Sequence, residues 1–207
     1  MLNLGDGLAV TTSLKTLDIT LNSNHFFSSD WCFSDSLESF SESLSLNESL
    51  TTLSLTVSLT SVDDHHDLED TKPFLKGLSE NRSITTLNFT IDDFGKATLD
   101  IAEVFRALGV FQGLAQNTSI TTFNLTVSGW VNGYWLRDLC DALNENSSLT
   151  TLRLKVNNRC ATGMSRLYDF SNLCGLRSSS LSILELEVTF YGNENEAQSS
   201  NSAAEYN

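Results

Sequence analysis

Residues 63–70 read Asp63-Asp64-His65-His66-Asp67-Leu68-Glu69-Asp70 and hold two of the three histidines in the chain beside five carboxylates. Imidazole and carboxylate are ligands for borderline and hard cations. Consecutive residues cannot all turn toward one point, however, and the run falls in an insertion between repeated segments. It reads as a solvated acidic loop. Cys32, Cys140, Cys160 and Cys174 form no C-x-x-C pair and lie at no zinc spacing from a histidine. Cys140 and Cys174 each follow a leucine in a helical pattern, as small buried hydrophobes do, and a reducing compartment follows. No G-x-S-x-G nucleophile elbow and no G-x-x-x-x-G-K-S/T phosphate loop occurs. The chain is therefore expected to be non-catalytic, without cofactor or metal.

Six N-x-S/T sequons, at Asn47, Asn81, Asn88, Asn117, Asn124 and Asn146, would by themselves suggest a secreted glycoprotein. Four of them end a helical pattern and two lie within predicted strands. They read as by-products of a repeat. The remaining chemistry is hydrogen bonding by hydroxyls and amides, and the repeat decides where those groups go.

One nine-residue phrase occurs six times, beginning at Ser13, Ser49, Ser83, Ser119, Ser148 and Ser180; the second copy reads SLTTLSLTV. The first apolar residues of the copies are spaced by 36, 34, 36, 29 and 32 residues, a loosely periodic array. From Leu50 onward, Leu53, Leu55 and Val57 alternate with Thr52, Ser54 and Thr56, which predicts a strand with one buried face. Helical spacing precedes each strand from the second on: Leu37, Phe40 and Leu44; Phe74, Leu75 and Leu78 behind Pro73; Ile101 to Leu114; Leu136, Leu139 and Leu143; Leu167, Phe170 and Leu173. Asn47, Asn81, Asn117 and Asn146 sit three residues before the strand's first apolar residue. They are read as helix-ending residues that tolerate the left-handed conformation. Strand and helix in alternation give parallel strands linked by crossovers.

The outward strand positions then fall into columns. One is Thr16, Thr52, Thr86, Thr122, Thr151 and Ile183; the next is Asp18, Ser54, Asn88, Asn124, Arg153 and Glu185; the third is Thr20, Thr56, Thr90, Thr126, Lys155 and Glu187. From these, Thr52, Ser54, Thr56, Thr86, Asn88, Thr90, Thr122, Asn124, Thr126, Thr151, Arg153 and Lys155 are the candidate partner-binding residues. Arg153 and Lys155 are expected to be neutralised by Glu185 and Glu187 on the next strand. Threonine also suits an exposed strand on propensity alone, so a plain sheet surface is the alternative.

The 207 residues are 40% hydrophobic and 18% charged, the mark of a folded chain, and carry a formal net charge of -14. That disfavours nucleic acid and anionic membrane as partners and permits a basic protein. No apolar run approaches a membrane span. The N-terminal MLNLGDGLAV is a poor signal peptide, so a cytoplasmic location is expected. Trp31 and Trp130 each lie 19 residues before a strand's first leucine and are expected to fill equivalent structural places. Residues 191–207 lack apolar periodicity and are expected to form a disordered polar tail.

The register L-x-x-L-x-L, as in Leu14-x-x-Leu17-x-Ile19, Leu50-x-x-Leu53-x-Leu55 and Leu149-x-x-Leu152-x-Leu154, resembles that of leucine-rich repeat proteins of the ribonuclease-inhibitor-like kind. The wording N-x-S-L-T-T-L further resembles repeats of invertebrate NLR (NACHT) innate-immune receptors. The resemblance implies an α/β leucine-rich-repeat solenoid over residues 1–190, a horseshoe arc of about six strand–helix units with a parallel sheet on its concave face. It implies protein–protein recognition by that face, in an NLR context as sensor or autoinhibitory part. A surface binding carbohydrate or ice through the Thr array, or a spacer with no ligand, are the alternatives. The family's ladder asparagine would fall on Asn22, Ser58, Asp92, Ser128, Asn157 and Thr189, only two of which are asparagine, so weaker hydroxyl contacts are expected in its place.

Overall fold

A computed structural model describes residues 4–22, 32–59, 72–93, 101–129, 134–158 and 180–190. The Thr/Leu alternation of each copy becomes a strand: β1 Thr16–Asn22, β2 Thr52–Leu59, β3 Thr86–Asp93, β4 Thr122–Gly129, β5 Thr151–Asn158 and β6 Ile183–Phe190. All pair in parallel in sequence order, β1 to β6, in one sheet. Register follows the repeat residue for residue, so that Leu53 faces Leu87, Leu87 faces Phe123, Phe123 faces Leu152 and Leu152 faces Leu184.

The described helices are α1 Leu4–Val10, α2 Cys32–Leu46, α3 Pro73–Glu80, α4 Ile101–Leu108, α5 Val110–Gln116 and α6 Tyr134–Glu145. They cover one face of the sheet, and successive repeats pack helix on helix. Leu37, Phe40 and Leu44 of α2, Phe74 and Leu78 of α3, and Leu136, Leu139 and Leu143 of α6 are buried against Leu53, Leu55, Val57 and their repeat equivalents in a single core. Each such side chain contributes roughly 1.5–3 kcal/mol of burial. The core thins at the sheet's described edge, where Leu184 and Leu186 of β6 are 46% and 47% exposed. The expected sixth helix around Leu167, Phe170 and Leu173 lies outside the described residues, as do the Asp63–Asp70 run, Trp31, Trp130, Cys160, Cys174 and residues 191–207.

The helical pattern before β4 is not one helix. Gly109, at φ 70°, ends α4 and opens α5. Its N–H donates to the carbonyls of Phe105 and Arg106 at 3.1 Å each, while its own carbonyl accepts from Gly113 at 2.9 Å. Lys72 N–H caps the interrupted end by donating to Ala107 O at 2.8 Å. The break lets Phe105 and Phe111 stack at 4.2 Å between ring centroids, with Trp135 at 5.8 Å from Phe105. Gly77 and Gly113, 36 residues apart, stand where neighbouring helices approach too closely for a side chain. A Cβ on Gly77 would lie 2.8 Å from Ser41 O, and one on Gly113 2.8 Å from Leu78 Cβ.

The helix-ending asparagines do something other than turn the chain. Asn81 (φ -63°, ψ 138°) and Asn117 (φ -74°, ψ 142°) are extended, not left-handed. Their side chains, with those of Asn47 and Asn146, are 0–3% exposed. Each carboxamide nitrogen donates twice into the preceding repeat. Asn47 reaches Leu8 O (2.7 Å) and Thr11 O (3.1 Å), and Asn81 reaches Leu44 O (2.7 Å) and Asn47 O (2.9 Å). Asn117 reaches Leu78 O (2.6 Å) and Asn81 O (3.0 Å), and Asn146 reaches Leu114 O (2.6 Å) and Asn117 O (2.9 Å). Each carboxamide oxygen accepts from two backbone N–H groups of its own repeat, for Asn81 those of Ser83 (2.9 Å) and Ile84 (2.8 Å). The following serine and threonine add hydroxyl bonds backward, as Ser83 to Asn47 O (2.9 Å) and Thr85 to Thr51 O (3.3 Å). The column that matches the family's ladder position contributes one described link, Asn157 Nδ2 to Ser128 Oγ at 3.0 Å. The stacking clamp therefore sits at the helix–strand junction.

Two stability predictions follow from this packing. Asn81→Ala or Asn117→Ala strands buried carbonyls and N–H groups on both sides of a repeat junction, and urea unfolding should show a loss of about 3–5 kcal/mol. Gly113→Ala should also destabilise, by about 1–3 kcal/mol, because overpacking against Leu78 outweighs the roughly 1 kcal/mol alanine gains as a helix former.

Candidate recognition surface

The face of the sheet turned away from the helices carries the columns anticipated from sequence, in the same register. Thr56 lies beside Thr90, Thr90 beside Thr126, and Thr126 beside Lys155. On β2 to β4, Thr52, Ser54, Thr56, Thr86, Asn88, Thr90, Thr122, Asn124 and Thr126 are half-buried, while the residues between them are buried. Thr151 departs from its column: at 8% exposure, between Thr122 and Ile183 in register, it presents little to a partner. Arg153 and Lys155 on β5 are exposed.

Within this face the polar groups are unequally available. Asn88 Nδ2 donates to Ser54 Oγ at 3.0 Å and Asn124 Nδ2 donates to Asn88 Oδ1 at 2.7 Å, so the middle column satisfies much of its own hydrogen-bonding capacity. That line of bonds stops at Asn124 Oδ1, which is shielded from solvent and accepts no hydrogen bond. The Thr columns on either side flank this amide line. Parallel strands set the spacing of such columns at about 4.8 Å.

Arg153 pairs with Glu185 at 2.7 Å and Lys155 with Glu187 at 2.9 Å, each side chain being about half exposed. The two cations are thus neutralised across β5 and β6, as their offset in sequence indicates. Further ion pairs tie the helices: Lys76 to Glu42 at 3.0 Å and Arg106 to Asp138 at 2.8 Å. The hydrogen bond and charge of Glu42 hold the Lys76 ammonium pKa above its usual value.

On the helix side, a cleft of about 270 Å³ is lined by Phe105, Arg106, Phe111, Asp138, Asp141 and Glu145 among others. It pairs no nucleophile with a base. Cys140, buried on α6, has its thiol pushed up to about 11 by burial and then by Asp141, so it stays protonated at neutral pH. Among the described residues no group of three or more His, Cys, Asp and Glu side chains could hold a metal ion. No described helix is long and apolar enough to cross a membrane.

No protein-family model matches the chain, and no curated protein matches it. Among solved structures, it is similar to leiomodin-1 actin-binding site 2, at 15% identity and a TM-score of 0.40, over 96% of this chain and 83% of that one. At that similarity neither fold nor partner follows from it.

Solvent screening limits the worth of the Arg153–Glu185 and Lys155–Glu187 pairs to about 0–1 kcal/mol each. Glu185→Gln with Glu187→Gln should therefore lower stability by less than about 2 kcal/mol at low salt, and the difference should shrink as salt is raised. Urea melts at two ionic strengths check this; a salt-independent loss would show that the pairs are not screened.

Proposed function

We propose that the chain is a leucine-rich-repeat solenoid that recognises a protein through the open strand face, without catalysis and without a cofactor. The observation that supports this most is the strand face itself: six parallel strands in one register, with the described helices all on the other side. An extended ordered surface of this kind suits recognition by many modest contacts. The groups offered on β2 to β4 are uncharged hydroxyls and amides plus Asp92. Long-range attraction comes from the net charge of -14, which favours a basic partner at the encounter stage. The likeness to NLR-type receptor repeats rests on the wording of the junction motif alone. A cytoplasmic setting is proposed with this function.

A second reading, carbohydrate or ice binding, is favoured by one observation, the in-register column Thr20, Thr56, Thr90 and Thr126. Asp18, Asp92 and the charged residues of β5 and β6 (Arg153, Lys155, Glu185 and Glu187) interrupt the regular hydroxyl array that such binding uses.

The triple variant Thr56→Glu, Thr90→Glu, Thr126→Glu places three carboxylates side by side on the face. With folding matched by circular dichroism, it should lose any partner that the parent retains from source lysate. Retention of the same partner by the folded variant would move the site to the helices or insertions. Thermal hysteresis or retention on polysaccharide resin by the parent alone would favour the second reading.

A further inference from the structure

The four sequons at Asn47, Asn81, Asn117 and Asn146 coincide with the four buried clamps, and this coincidence has chemical content. In N-glycosylation the carboxamide nitrogen displaces the lipid pyrophosphate from C1 of a lipid-linked oligosaccharide. A C–N bond forms, the lipid pyrophosphate leaves, and the nitrogen gives up one of its two protons. A glycosylated asparagine therefore has a single N–H left.

Each of these four nitrogens uses both protons. Asn81 spends one on Leu44 O (2.7 Å) and one on Asn47 O (2.9 Å), and the other three repeat the arrangement. A sugar at C1 would leave one buried carbonyl of the preceding repeat without its donor. It would also need space at side chains that are 0–3% exposed, in the interior between two repeats. Attachment to the chain before folding blocks the junction; attachment after folding has no access to the nitrogen.

Asn88 and Asn124 differ. They stand half-buried on the open face, and each nitrogen has one described bond, to Ser54 Oγ and to Asn88 Oδ1. A glycan there would cover the strand face and leave the core intact.

We propose that glycan attachment at Asn47, Asn81, Asn117 or Asn146 and the native fold exclude one another, so that this chain folds and works where oligosaccharyl transfer does not reach it. The sequons at the repeat junctions are structural and not acceptor sites.

The test sends the same chain to two compartments of one eukaryotic cell, the cytosol and, behind an added signal peptide, the endoplasmic reticulum. Protease-resistant yield and site-by-site glycan occupancy are measured, with tunicamycin as a third arm. The expected result is a folded, unmodified cytosolic protein. The chain sent to the reticulum should be occupied at one or more of the four junction sites and lost from the protease-resistant pool, and tunicamycin should restore it.

A second arm replaces the middle residue of each junction sequon with proline, as Glu48→Pro, Arg82→Pro, Thr118→Pro and Ser147→Pro, which blocks transfer while keeping each asparagine. Asn81 and Asn117 already hold the extended angles that a following proline requires. A variant that folds in the cytosol should also fold in the reticulum without tunicamycin. Protease-resistant protein carrying a glycan at any junction site would overturn the proposal. So would the parent chain, without tunicamycin, reaching its cytosolic folded yield in the reticulum with all four junction asparagines unmodified.

Discussion

A carboxamide buried away from water has two N–H donors and an acceptor oxygen, and each group left unmet costs about 1–3 kcal/mol. In this chain that demand is met only when two repeats are in contact at one relative height. Asn81 cannot place its nitrogen on Leu44 O and Asn47 O and its oxygen on Ser83 N–H and Ile84 N–H at any other stagger. The amide is thus a gauge that sets the offset between neighbouring units. Strand register, helix packing and the alignment of outward columns inherit that offset. The helices have less power to impose it, since leucines against leucines tolerate small slips.

The variable length of the repeats is harmless for the same reason. Spacings of 29 to 36 residues separate the first apolar positions of the first five copies, yet β1 to β5 stay paired residue for residue because the gauge acts at each of their four junctions. Length variation is taken up between the strand's end and the next clamp, where Gly109 divides one helix into two. Only the segment from the clamp through the strand must keep its length, and the sequence is most repetitive there.

Much of this architecture is legible in the sequence because its signals are local. Thr52-Leu53-Ser54-Leu55 alternates, and an alternating stretch has one way to bury its leucines. Leu37 and Leu44 of α2, Leu78 of α3, and Leu136, Leu139 and Leu143 of α6 repeat at helical spacing and are buried as that spacing implies, whereas Leu75 of α3 is only half-buried. The role of the asparagines is not local. Residue-type preference suggests a left-handed helix end, whereas the structure satisfies their amides with carbonyls 29 to 39 residues away. The break at Gly109 was hidden because apolar spacing continues through it. Thr151 shares its column's residue type but is screened, since exposure depends on neighbours that differ from strand to strand. For the recognition surface, position was readable and availability was not: the self-bonded line of Ser54, Asn88 and Asn124 depends on how adjacent side chains meet.

The amide and hydroxyl clamps share a direction. Asn47, Asn81, Asn117 and Asn146, with Ser83, Ser119 and Ser148, all donate to carbonyls that come earlier in the chain. A repeat emerging from the ribosome therefore finds its acceptors in chain already made, and awaits nothing still to be synthesised in order to fasten its rear junction. Domains begin to fold from the N-terminus during synthesis, and repeats that contact only their neighbours can add one at a time. The polarity of a hydrogen bond, repeated along the array, gives assembly the same sense as translation.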